Sequence, residues 1–592
     1  MKRLNFIVLF IVAIVVLLLW RVYFLSIKSN TYYEELSKQN YIKRIYEAPS
    51  RGIIQDRNGI ALAINNLGFS LNVKPHLRSY KNRNILDELC ETIALHFPQF
   101  TKEELIKKYL NLDSPYRHTY VKLIDYIPYD TFFNKYTLFN SMDNLKVESA
   151  VKRYYPYKHV ASHIIGYVGK ASKEDIEENL VSRYSGIIGK NGLEKFYNQR
   201  LQGELGYKDV KVNALNKYLE VLDEKEVSTD NNIKTTIDIK LQEYIHEIFG
   251  DQSGAVIVMD VNNGELLAAG SFPEFDNNIF VNGITHKEWE ALRNDFNHPF
   301  TNKIISGLYP PGSVWKMGIA LSFLENNIDS NFSVYCTAEM PLGGRNFRCW
   351  KPEGHGRVNF RKAIRESCDD FFYKGSLKVD IDQMQTTMEK FGFGQKTGVD
   401  QVNEFIGVNP NRDWKKEKFK KAWYTGETVI SSIGQGYVLV TPMQVARYTA
   451  FLATGKLPRP HFYEKNYKEP QDIEINAQHL KLIQAGMYDV ANEEGGTAKW
   501  HLKSSKVTLA SKTGTAQVVS IPQSEKVRMK EHELEYYHRS HAWLTSYGPY
   551  ENPQYAVTVI VEHGGHGGSA GGVITSKIFN KLLELGYIEK KK

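Results

Sequence analysis

The sequence has 592 residues, of which 42% are apolar, and it carries 75 Lys plus Arg against 67 Asp plus Glu, so its formal net charge is +8. The high apolar fraction and the small net charge exclude an intrinsically disordered chain. The length is enough for about three to five structural units, which excludes a single small binding module. The positive surplus is spread along the chain without a Lys/Arg-rich run. We therefore predict no nucleic-acid partner.

The N-terminus has the pattern of a membrane anchor. Lys2 and Arg3 precede an unbroken apolar run from Phe6 to Trp20, which is about the length that spans a bilayer. No small-residue cleavage site follows, and aromatic residues such as Tyr23 suit the membrane interface. We predict an uncleaved signal anchor over residues 1–27, with the positive end inside, a single pass through the cytoplasmic membrane, and the rest of the chain outside.

Residues 28–232 show short mixed segments and Gly-centred turns but no catalytic spacing. The helical spacing of apolar residues from Leu193 to Leu201 predicts an amphipathic helix that packs on its own domain. We predict a non-catalytic spacer of mixed α/β structure over residues 28–232.

A sheet is predicted in the remaining segment, residues 233–592. Gly254–Val261 and Glu265–Gly270 have the pattern of two strands joined by Asn262-Asn263-Gly264, and Asn-Gly is a strong hairpin signal. Three more strand-like runs lie far along the chain, at Thr513–Val519, Ala542–Tyr547 and Tyr555–Val561. Because strands at both ends of a domain must pair to satisfy their backbone groups, we predict an α+β domain with one antiparallel sheet of about five strands. Helical patterns occur at Met317–Leu324, Gln444–Leu452, Leu480–Val490 and Ile574–Leu585.

Serine followed three residues later by lysine is a candidate nucleophile and base, because both side chains share one face of a helix. The pattern is weak, since about two matches are expected by chance in a chain of this length. Ser149–Lys152 and Ser313–Lys316 are the two copies. Only Ser313 follows a Pro-Pro-Gly turn and begins an apolar helix, where backbone N–H groups face a developing oxyanion. We select Ser313 and Lys316.

Lys-Thr-Gly also occurs twice. The copy at Lys396 lies in a Gly-rich loop and is predicted to be only a turn. The copy at Lys512-Thr513-Gly514 begins a strand of small residues. Small side chains let a substrate backbone lie along the strand edge and form hydrogen bonds with it, as an added strand does. We therefore select Lys512.

Together with Ser367-Cys368-Asp369, these motifs resemble the three motifs of the penicillin-binding proteins and serine β-lactamases. The resemblance to class B penicillin-binding proteins covers nearly the whole chain, and within that class it is strongest to the penicillin-binding protein 2 subgroup, the enzymes of side-wall elongation. Asp369 replaces the commoner asparagine of the second motif, which adds negative charge near Lys316. The stretches that carry the wider resemblance are PSRGIIQDRNGIALA from Pro49, RYYPYKHVASHIIGYVG from Arg153, GIIGKNGLEKFYNQRLQGELG from Gly186, TTIDIKLQ from Thr235 and SSIGQGYVLVTPMQ from Ser431.

The resemblance implies a D,D-transpeptidase that cross-links peptidoglycan stem peptides through an acyl-enzyme on Ser313 and is acylated by β-lactams. It implies that Lys316 is the base, in its neutral form, and that Ser367 relays protons. Lys512 and Thr515 would hold the terminal carboxylate, and the backbone N–H groups of Ser313 and Thr515 would form the oxyanion hole. The resemblance thus makes Thr513, Gly514 and Thr515 substrate-binding residues.

The resemblance also implies the fold and the setting: a penicillin-binding transpeptidase domain with a helical subdomain over residues 233–592, an elongated dimerisation-type pedestal over 28–232, and a periplasmic location. The expected partners are the membrane, a RodA-like SEDS polymerase and MreC-like elongation proteins. No organic cofactor is expected. A division-type class B transpeptidase and a non-catalytic β-lactam receptor remain alternatives.

Three of the four cysteines are close in sequence. Cys336, Cys349, His355 and Cys368 supply the soft ligands of a closed structural zinc site, although their spacing is irregular. A disulfide between two of the cysteines, or independent buried thiols, remain alternatives. We predict one structural Zn²⁺ bound by these four residues.

Overall fold

The computed structural model describes residues 2–28, 41–79, 82–116, 119–213, 218–228, 230–518 and 531–589. In these residues the strands, numbered in chain order, are β1 (Ile42–Glu47), β2 (Ile54–Gln55), β3 (Ala61–Val73), β4 (Val121–Pro128), β5 (Leu145–Tyr154), β6 (Val168–Lys170), β7 (Ile187–Gly189), β8 (Gly206–Val212), β9 (Tyr218–Lys225), β10 (Ile233–Lys234), β11 (Gly254–Asp260), β12 (Leu266–Phe272), β13 (Ser333–Cys336), β14 (Glu339–Leu342), β15 (Arg345–Arg348), β16 (Gly356–Asn359), β17 (Lys456–Leu457), β18 (Gln471–Asp472), β19 (Ala510–Ala516), β20 (His541–Gly548) and β21 (Tyr555–Val561).

The α-helices of the same residues are Lys2–Tyr23, Arg83–His96, Lys102–Leu112, Tyr129–Phe132, Tyr136–Asn140, Ser162–Ile165, Lys173–Glu178, Leu180–Ser185, Gly192–Phe196, Asn198–Gln202, Ile239–Phe249, Asn278–Asn282, His286–Asn294, Lys303–Ser306, Lys316–Glu325, Phe360–Arg365, Asp369–Ser376, Ile381–Lys390, Arg412–Phe419, Thr425–Ser431, Pro442–Thr454, Ala477–Asn492, Lys499–Leu502 and Gly567–Glu584.

The chain forms two compact units that interleave along the sequence. The first comprises Met1–Gly52, Lys170–Ile187 and Gln199–Asn231, and the second comprises Ile53–Gly169, Ile188–Asn198 and Asn232–Lys592. Interleaved units do not test where a contiguous domain ends, so the boundaries at residues 27 and 232 stay predictions.

The first unit contains the N-terminal helix and an antiparallel sheet in the order β1-β8-β9. Within the described ranges, the segment Arg3–Lys28 is the one helix that is long and apolar enough to cross a membrane.

The second unit begins with a sheet in the order β10-β2-β3-β4, in which β5 also pairs with β3. Helices Arg83–His96 and Lys102–Leu112 enclose its hydrophobic core, which includes Cys90. Burial raises the pKa of the Cys90 thiol to about 12. Cys90 is therefore an inert core residue, since only the thiolate is nucleophilic.

The sheet predicted for residues 233–592 is present and has five antiparallel strands in the order β12-β11-β21-β20-β19. Thr545 of β20 contacts Thr449 of helix Pro442–Thr454 through their hydroxyl groups, which are 2.6 Å apart. The neighbouring Leu544 lies against Gly571 of helix Gly567–Glu584. Because successive strand residues point to opposite faces, the two helices cover opposite faces of the sheet. This double burial explains the almost continuous apolar sequence of β21.

The predicted elements differ from the observed ones mainly at their ends. Strand β19 begins at Ala510, three residues before the predicted start, and it ends at Ala516, while Val519 lies outside the described residues. The last helix begins at Gly567, seven residues before the predicted start. Its first turns are rich in glycine, which has a low helix propensity and hides the helix from sequence analysis. The helix predicted over Leu193–Leu201 is two short helices, Gly192–Phe196 and Asn198–Gln202.

Candidate active site

Ser313 lies in the single 3-10 turn Gly312–Trp315, which leads directly into helix Lys316–Glu325. Its side chain is partly exposed, whereas Lys316 is fully buried. Gly312 has a φ of +53°, and a Cβ atom there would lie 2.7 Å from the carbonyl oxygen of Thr515. Only glycine therefore lets the serine turn approach β19 this closely.

Four hydrogen bonds hold the segment that leads into Ser313. The Tyr309 backbone pairs with Val440 through two bonds of 3.0 and 2.9 Å. The indole N–H of Trp543 donates to the carbonyl oxygen of Pro310 at 3.1 Å, and the Tyr309 hydroxyl donates to Glu562 at 2.7 Å. The turn is thus fixed to both β20 and the end of β21.

The Lys316 ammonium group has three acceptors around it. Its Nζ atom lies 2.6 Å from Asp369 Oδ1, 2.9 Å from the Ser367 carbonyl oxygen and 3.3 Å from the Ser367 hydroxyl. These contacts match the three N–H groups of a lysine side chain. Burial raises the pKa of the Asp369 carboxyl, and the adjacent Lys316 opposes that shift.

Lys512 approaches Ser367 from the other side. Its Nζ atom donates to the Ser367 hydroxyl and to the Thr513 carbonyl oxygen, both at 2.9 Å, and its side chain is fully buried. Burial, together with the charge of Lys316, lowers the pKa of Lys512 well below its usual value. The Ser367 hydroxyl therefore lies between two amino groups, and the environment of Lys512 favours its neutral form.

Ser367 has a left-handed backbone conformation, with a φ of +53°. Such a conformation is uncommon for a residue other than glycine and is often found at functional sites. It lets both the hydroxyl and the carbonyl oxygen of Ser367 reach Lys316. No sequence pattern indicated this conformation.

Strand β19 carries the Lys-Thr-Gly motif at the edge of the sheet, with β20 as its one neighbour in the described sheet. Gly514 allows the serine turn to lie against the strand, because a Cβ atom there would be 3.0 Å from the Pro311 carbonyl oxygen. Thr513 is buried, and its hydroxyl lies 2.7 Å from that of Thr497, whereas Thr515 is partly exposed. No strand of the described residues pairs with the other edge of β19, where a substrate backbone could be added as a strand.

Two site residues were not selected from the sequence. Gln435 donates a long hydrogen bond of 3.4 Å to the Thr515 carbonyl oxygen, and the carbonyl of the preceding Gly434 accepts from Gly312 at 2.9 Å. Trp350 donates its backbone N–H to Asp369 at 3.0 Å and its indole N–H to the Ser367 carbonyl oxygen at 3.1 Å. The Gly-Gln-Gly sequence around Gln435 was the available signal, because glycines often mark close backbone approaches.

The second copies of both motifs lie elsewhere. Ser149 and Lys152 are in strand β5, so their side chains point to opposite faces. Lys396 is exposed in an irregular segment, and the backbone N–H of Thr397 donates to Glu404 at 2.7 Å. Neither copy can assemble a nucleophile with a buried lysine in this fold.

The three cysteines and His355 form one buried group. Their ligand atoms all lie within 4.8 Å of one another, and Nδ1 of His355 is 3.6 Å from the sulfur of Cys336 and 3.5 Å from that of Cys349. Tetrahedral bonds of about 2.3 Å to sulfur and about 2.0 Å to nitrogen separate these atoms by about 3.5 Å. All four cysteines of the chain are free thiols, so the disulfide alternative is absent. The group can hold a metal.

The electrostatics of the cysteine group favour the thiolate form at Cys349 alone: burial raises the pKa of the Cys336 thiol, and the hydrogen bond with Cys349 raises that of the Cys368 thiol. Hydrogen bonds from Cys368 and His355 lower the pKa of the Cys349 thiol, to about 3. The thiolate is the form that binds metals. Cys368 immediately precedes helix Asp369–Ser376 and separates Ser367 from Asp369, so the cysteine group adjoins the lysine network directly.

We expect Gly312→Ala to slow acylation of Ser313 by a fluorescent penicillin at least about tenfold, because the methyl group would push the serine turn away from Thr515. Gly343→Ala is the matched control: Gly343 has a φ of +57°, and no atom lies within 4 Å of its added Cβ. Both variants place an alanine at a similar positive φ, so the cost of the left-handed backbone conformation is the same in both. Stopped-flow labelling that shows equal rates for the two would contradict the importance of this close approach.

Comparisons with known proteins cover both parts of the chain. The sequence profile of the penicillin binding protein transpeptidase domain matches residues 254–584, and that of the penicillin-binding protein dimerisation domain matches residues 46–235. The peptidoglycan D,D-transpeptidase MrdA of Escherichia coli (strain K12) is 34% identical over 591 residues, which cover 96% of this chain and 91% of that protein.

Solved structures give the same result. The penicillin-binding protein PBP2 of Helicobacter pylori, in its complex with MreC, is 43% identical with a TM-score of 0.85, covering 93% of this chain and 100% of that chain. A chain of a peptidoglycan synthase complex, solved to explain how polymerization and crosslinking are coordinated, is 26% identical with a TM-score of 0.71, covering 100% of this chain and 99% of that chain. The resemblance found in the sequence motifs is thus confirmed, and the chain belongs to the penicillin-binding protein 2 (MrdA) family of elongation-type class B peptidoglycan D,D-transpeptidases.

Proposed function

We propose that this chain cross-links peptidoglycan through an acyl-enzyme on Ser313. Ser313 Oγ attacks the carbonyl carbon of the D-Ala-D-Ala bond in a stem peptide, D-Ala leaves, and an amine of a neighbouring strand takes the acyl group. The observation that supports this most is the convergence of Lys316 and Lys512 on the Ser367 hydroxyl, next to the turn that carries Ser313.

Lys316 is the proposed base, and it must be neutral to accept the Ser313 proton. Its proton can pass through the Ser367 hydroxyl to Lys512, because the two amino groups lie 3.3 and 2.9 Å from that oxygen. A substrate carboxylate beside Lys512 stabilises the charged form of Lys512. Substrate binding would thereby leave Lys316 neutral at the moment of attack, and Asp369 would orient it.

The substrate would lie along the unpaired edge of β19. Lys512, Thr513 and Thr515 are proposed to bind the terminal carboxylate, with Gly514 leaving room for the substrate backbone. The backbone N–H groups of Ser313 and Thr515 would form the oxyanion hole, in which each donor is worth about 100- to 1000-fold in rate. Ser367 would then carry a proton to the leaving amine.

Ser313→Ala should abolish covalent labelling by a fluorescent penicillin, because the attacking oxygen is removed, while the melting temperature stays within about 2 °C. Ser149→Ala should label like the unmodified protein. Gel fluorescence and peptide mapping distinguish the two sites. Label that persists on Ser149 in the Ser313→Ala variant would overturn the assignment.

The lowered pKa of Lys512 predicts the pH dependence of acylation. Because the pKa of Lys512 is lowered, its neutral form persists below its usual pH range and is lost as the pH falls, after which Lys512 can no longer accept the proton that Lys316 passes on. Acylation should therefore fall as the pH decreases. In Lys512→Arg the arginine keeps its proton, so Lys316 must lose its own proton to solvent, and the acidic limb should move up by about one pH unit or more. Rates measured across pH test this.

The control for this pH–rate profile is Lys396→Arg, at the other Lys-Thr-Gly copy. This variant should leave the pH midpoint of the acidic limb unchanged. The corresponding alanine variants should also differ: Lys512→Ala should slow acylation greatly, and Lys396→Ala should not. Equal effects at the two positions would show that β19 is not the substrate-binding strand.

We also propose that Cys336, Cys349, His355 and Cys368 bind one structural Zn²⁺. A closed site of this type supplies no chemistry to acyl transfer but contributes its binding free energy to folding. Because Cys368 lies between Ser367 and Asp369, the ligands would also hold the second motif in position. Trp350, which follows Cys349, supports this link through its two hydrogen bonds to Asp369 and Ser367.

Purified protein should contain about one zinc per chain by elemental analysis. His355→Ala should lower the zinc content, the melting temperature and the acylation rate together, since one ligand is lost. Cys90→Ala removes a buried thiol from a different core and should change neither the zinc content nor the acylation rate. Full metal content in His355→Ala would contradict the proposed ligand set.

For the chain as a whole we propose a transmembrane anchor over residues 1–27, a pedestal over 28–232 and a transpeptidase domain over 233–592 in the periplasm. The apolar segment Arg3–Lys28 supports the anchor. We further propose that the chain assembles with MreC-like proteins and a RodA-like polymerase. The similarity to a PBP2 solved with MreC and to a chain of a peptidoglycan synthase complex supports this assembly.

A further inference from the structure

A cavity of about 320 Å³ lies outside the site described above. Its walls are the end of helix Ala477–Asn492, helix Lys499–Leu502 and residues 503–509, which lead into β19. This volume is at the lower end of the range for small-ligand sites, which is about 300–1,000 Å³. None of its lining residues is Ser313, Lys316, Ser367 or Lys512. We call it the lysine-lined cavity.

The charge of the lysine-lined cavity is positive. Lys499, Lys503 and Lys506 line it, and in the described part of the chain its lining residues include no Asp or Glu. Lys499 also pairs with Glu494, outside the lining. Three lysines thus line one concave surface, and one of them is paired with a carboxylate. The remaining positive charge favours a ligand that carries carboxylates.

The indole ring of Trp500 lines the same cavity. Trp500 is 69% exposed, which is unusual for so large a ring, and the Lys503 ammonium group lies 5.8 Å from the ring centroid. A flat exposed indole can pack on the apolar C–H face of a sugar ring, while adjacent cations bind acidic groups of the same ligand. The chemistry of the cavity thus fits a carboxylated saccharide-peptide.

The walls of the cavity are fixed before any ligand binds. Asn492 donates to the Leu509 carbonyl oxygen at 2.9 Å, and the Ser505 hydroxyl donates to the Val507 carbonyl oxygen at 2.8 Å. Asn580 accepts from the Lys506 backbone N–H at 2.8 Å and donates to the Ser504 carbonyl oxygen at 2.9 Å. A preformed site loses less conformational entropy on binding a ligand than a site that must first become ordered.

The cavity is connected to the substrate-binding strand. Its wall continues through Leu509 into β19, and Thr497, two residues before Lys499, contacts the Thr513 hydroxyl at 2.7 Å. A polymeric substrate on β19 therefore passes close to a surface that suits its other chemical groups. Peptidoglycan is such a polymer, because its glycan carries stem peptides with free carboxylates at regular intervals.

We propose that the lysine-lined cavity is a second binding site for the peptidoglycan strand, and that it takes a carboxylated saccharide-peptide unit other than the one that reacts with Ser313. This site rests on the proposed transpeptidase function and adds to it. It would raise the affinity for polymeric strands over isolated stem peptides, because two linked contacts bind more tightly than one.

The test uses the full chain in detergent, with Ser313 first acylated by penicillin so that the reactive site is blocked. Isothermal titration with a soluble, uncross-linked chain of disaccharide-pentapeptide units should still show binding. Trp500→Ala, and Lys503→Glu combined with Lys506→Glu, should each weaken it at least about tenfold. Lys240→Glu combined with Lys577→Glu, two exposed lysines outside the cavity, makes the same charge change and should leave binding intact.

Penicillin acylation should proceed at the unmodified rate in all of these variants, which shows that the fold and Ser313 are unaffected. The isolated pentapeptide should bind the blocked protein at least tenfold more weakly than the saccharide-containing chain. Unchanged binding in the cavity variants, or equal binding of peptide and saccharide chain, would overturn the proposal. Failure of acylation itself would instead overturn the proposed function, so the two failures are distinguishable.

Discussion

The contacts of two buried lysines with one serine hydroxyl are the interaction on which this site depends. Two ammonium groups this close would repel each other in a medium of low polarity. Asp369 offsets the charge of Lys316 through a 2.6 Å ion pair, and Lys512 has a strongly lowered pKa. Removing one partner of a buried ion pair costs about 3–5 kcal/mol. The arrangement that makes the two buried lysines energetically costly would also supply a mobile proton beside the proposed nucleophile, Ser313.

Distant segments meet at this network because the sheet and its helices hold them. Strand β19 brings Lys512 to the edge of the sheet, and helix Lys316–Glu325 brings Lys316, the proposed base. Gly312 and Gly514 let the serine turn and β19 approach within backbone contact distance. Protein interiors transmit small displacements, so a single added methyl group at this contact would move Ser313 relative to Lys316.

The cysteine group extends this network into the helical part of the domain. Cys368 is flanked by Ser367 and Asp369, which contact Lys316, and Cys349 is followed by Trp350, which donates hydrogen bonds to Asp369 and Ser367. Coordination there would restrain the second motif from both sides. The stability of this segment and the position of the Ser367 hydroxyl would then be coupled.

The sequence by itself determined the elements of this protein and the identity of its chemical groups. The hairpin signal, the alternating strands and the Pro-Pro-Gly turn before Ser313 are local patterns, and local patterns are set by backbone sterics and side-chain spacing. Local context also separated the two copies of each motif, because only Ser313 follows a Pro-Pro-Gly turn and only Lys512 begins a strand. Only the tertiary structure decided the convergence of two lysines on one hydroxyl group, the left-handed conformation of Ser367, and the close approaches at Gly312 and Gly514. Those features arise from contacts between residues far apart in the chain, and no local sequence pattern records such contacts.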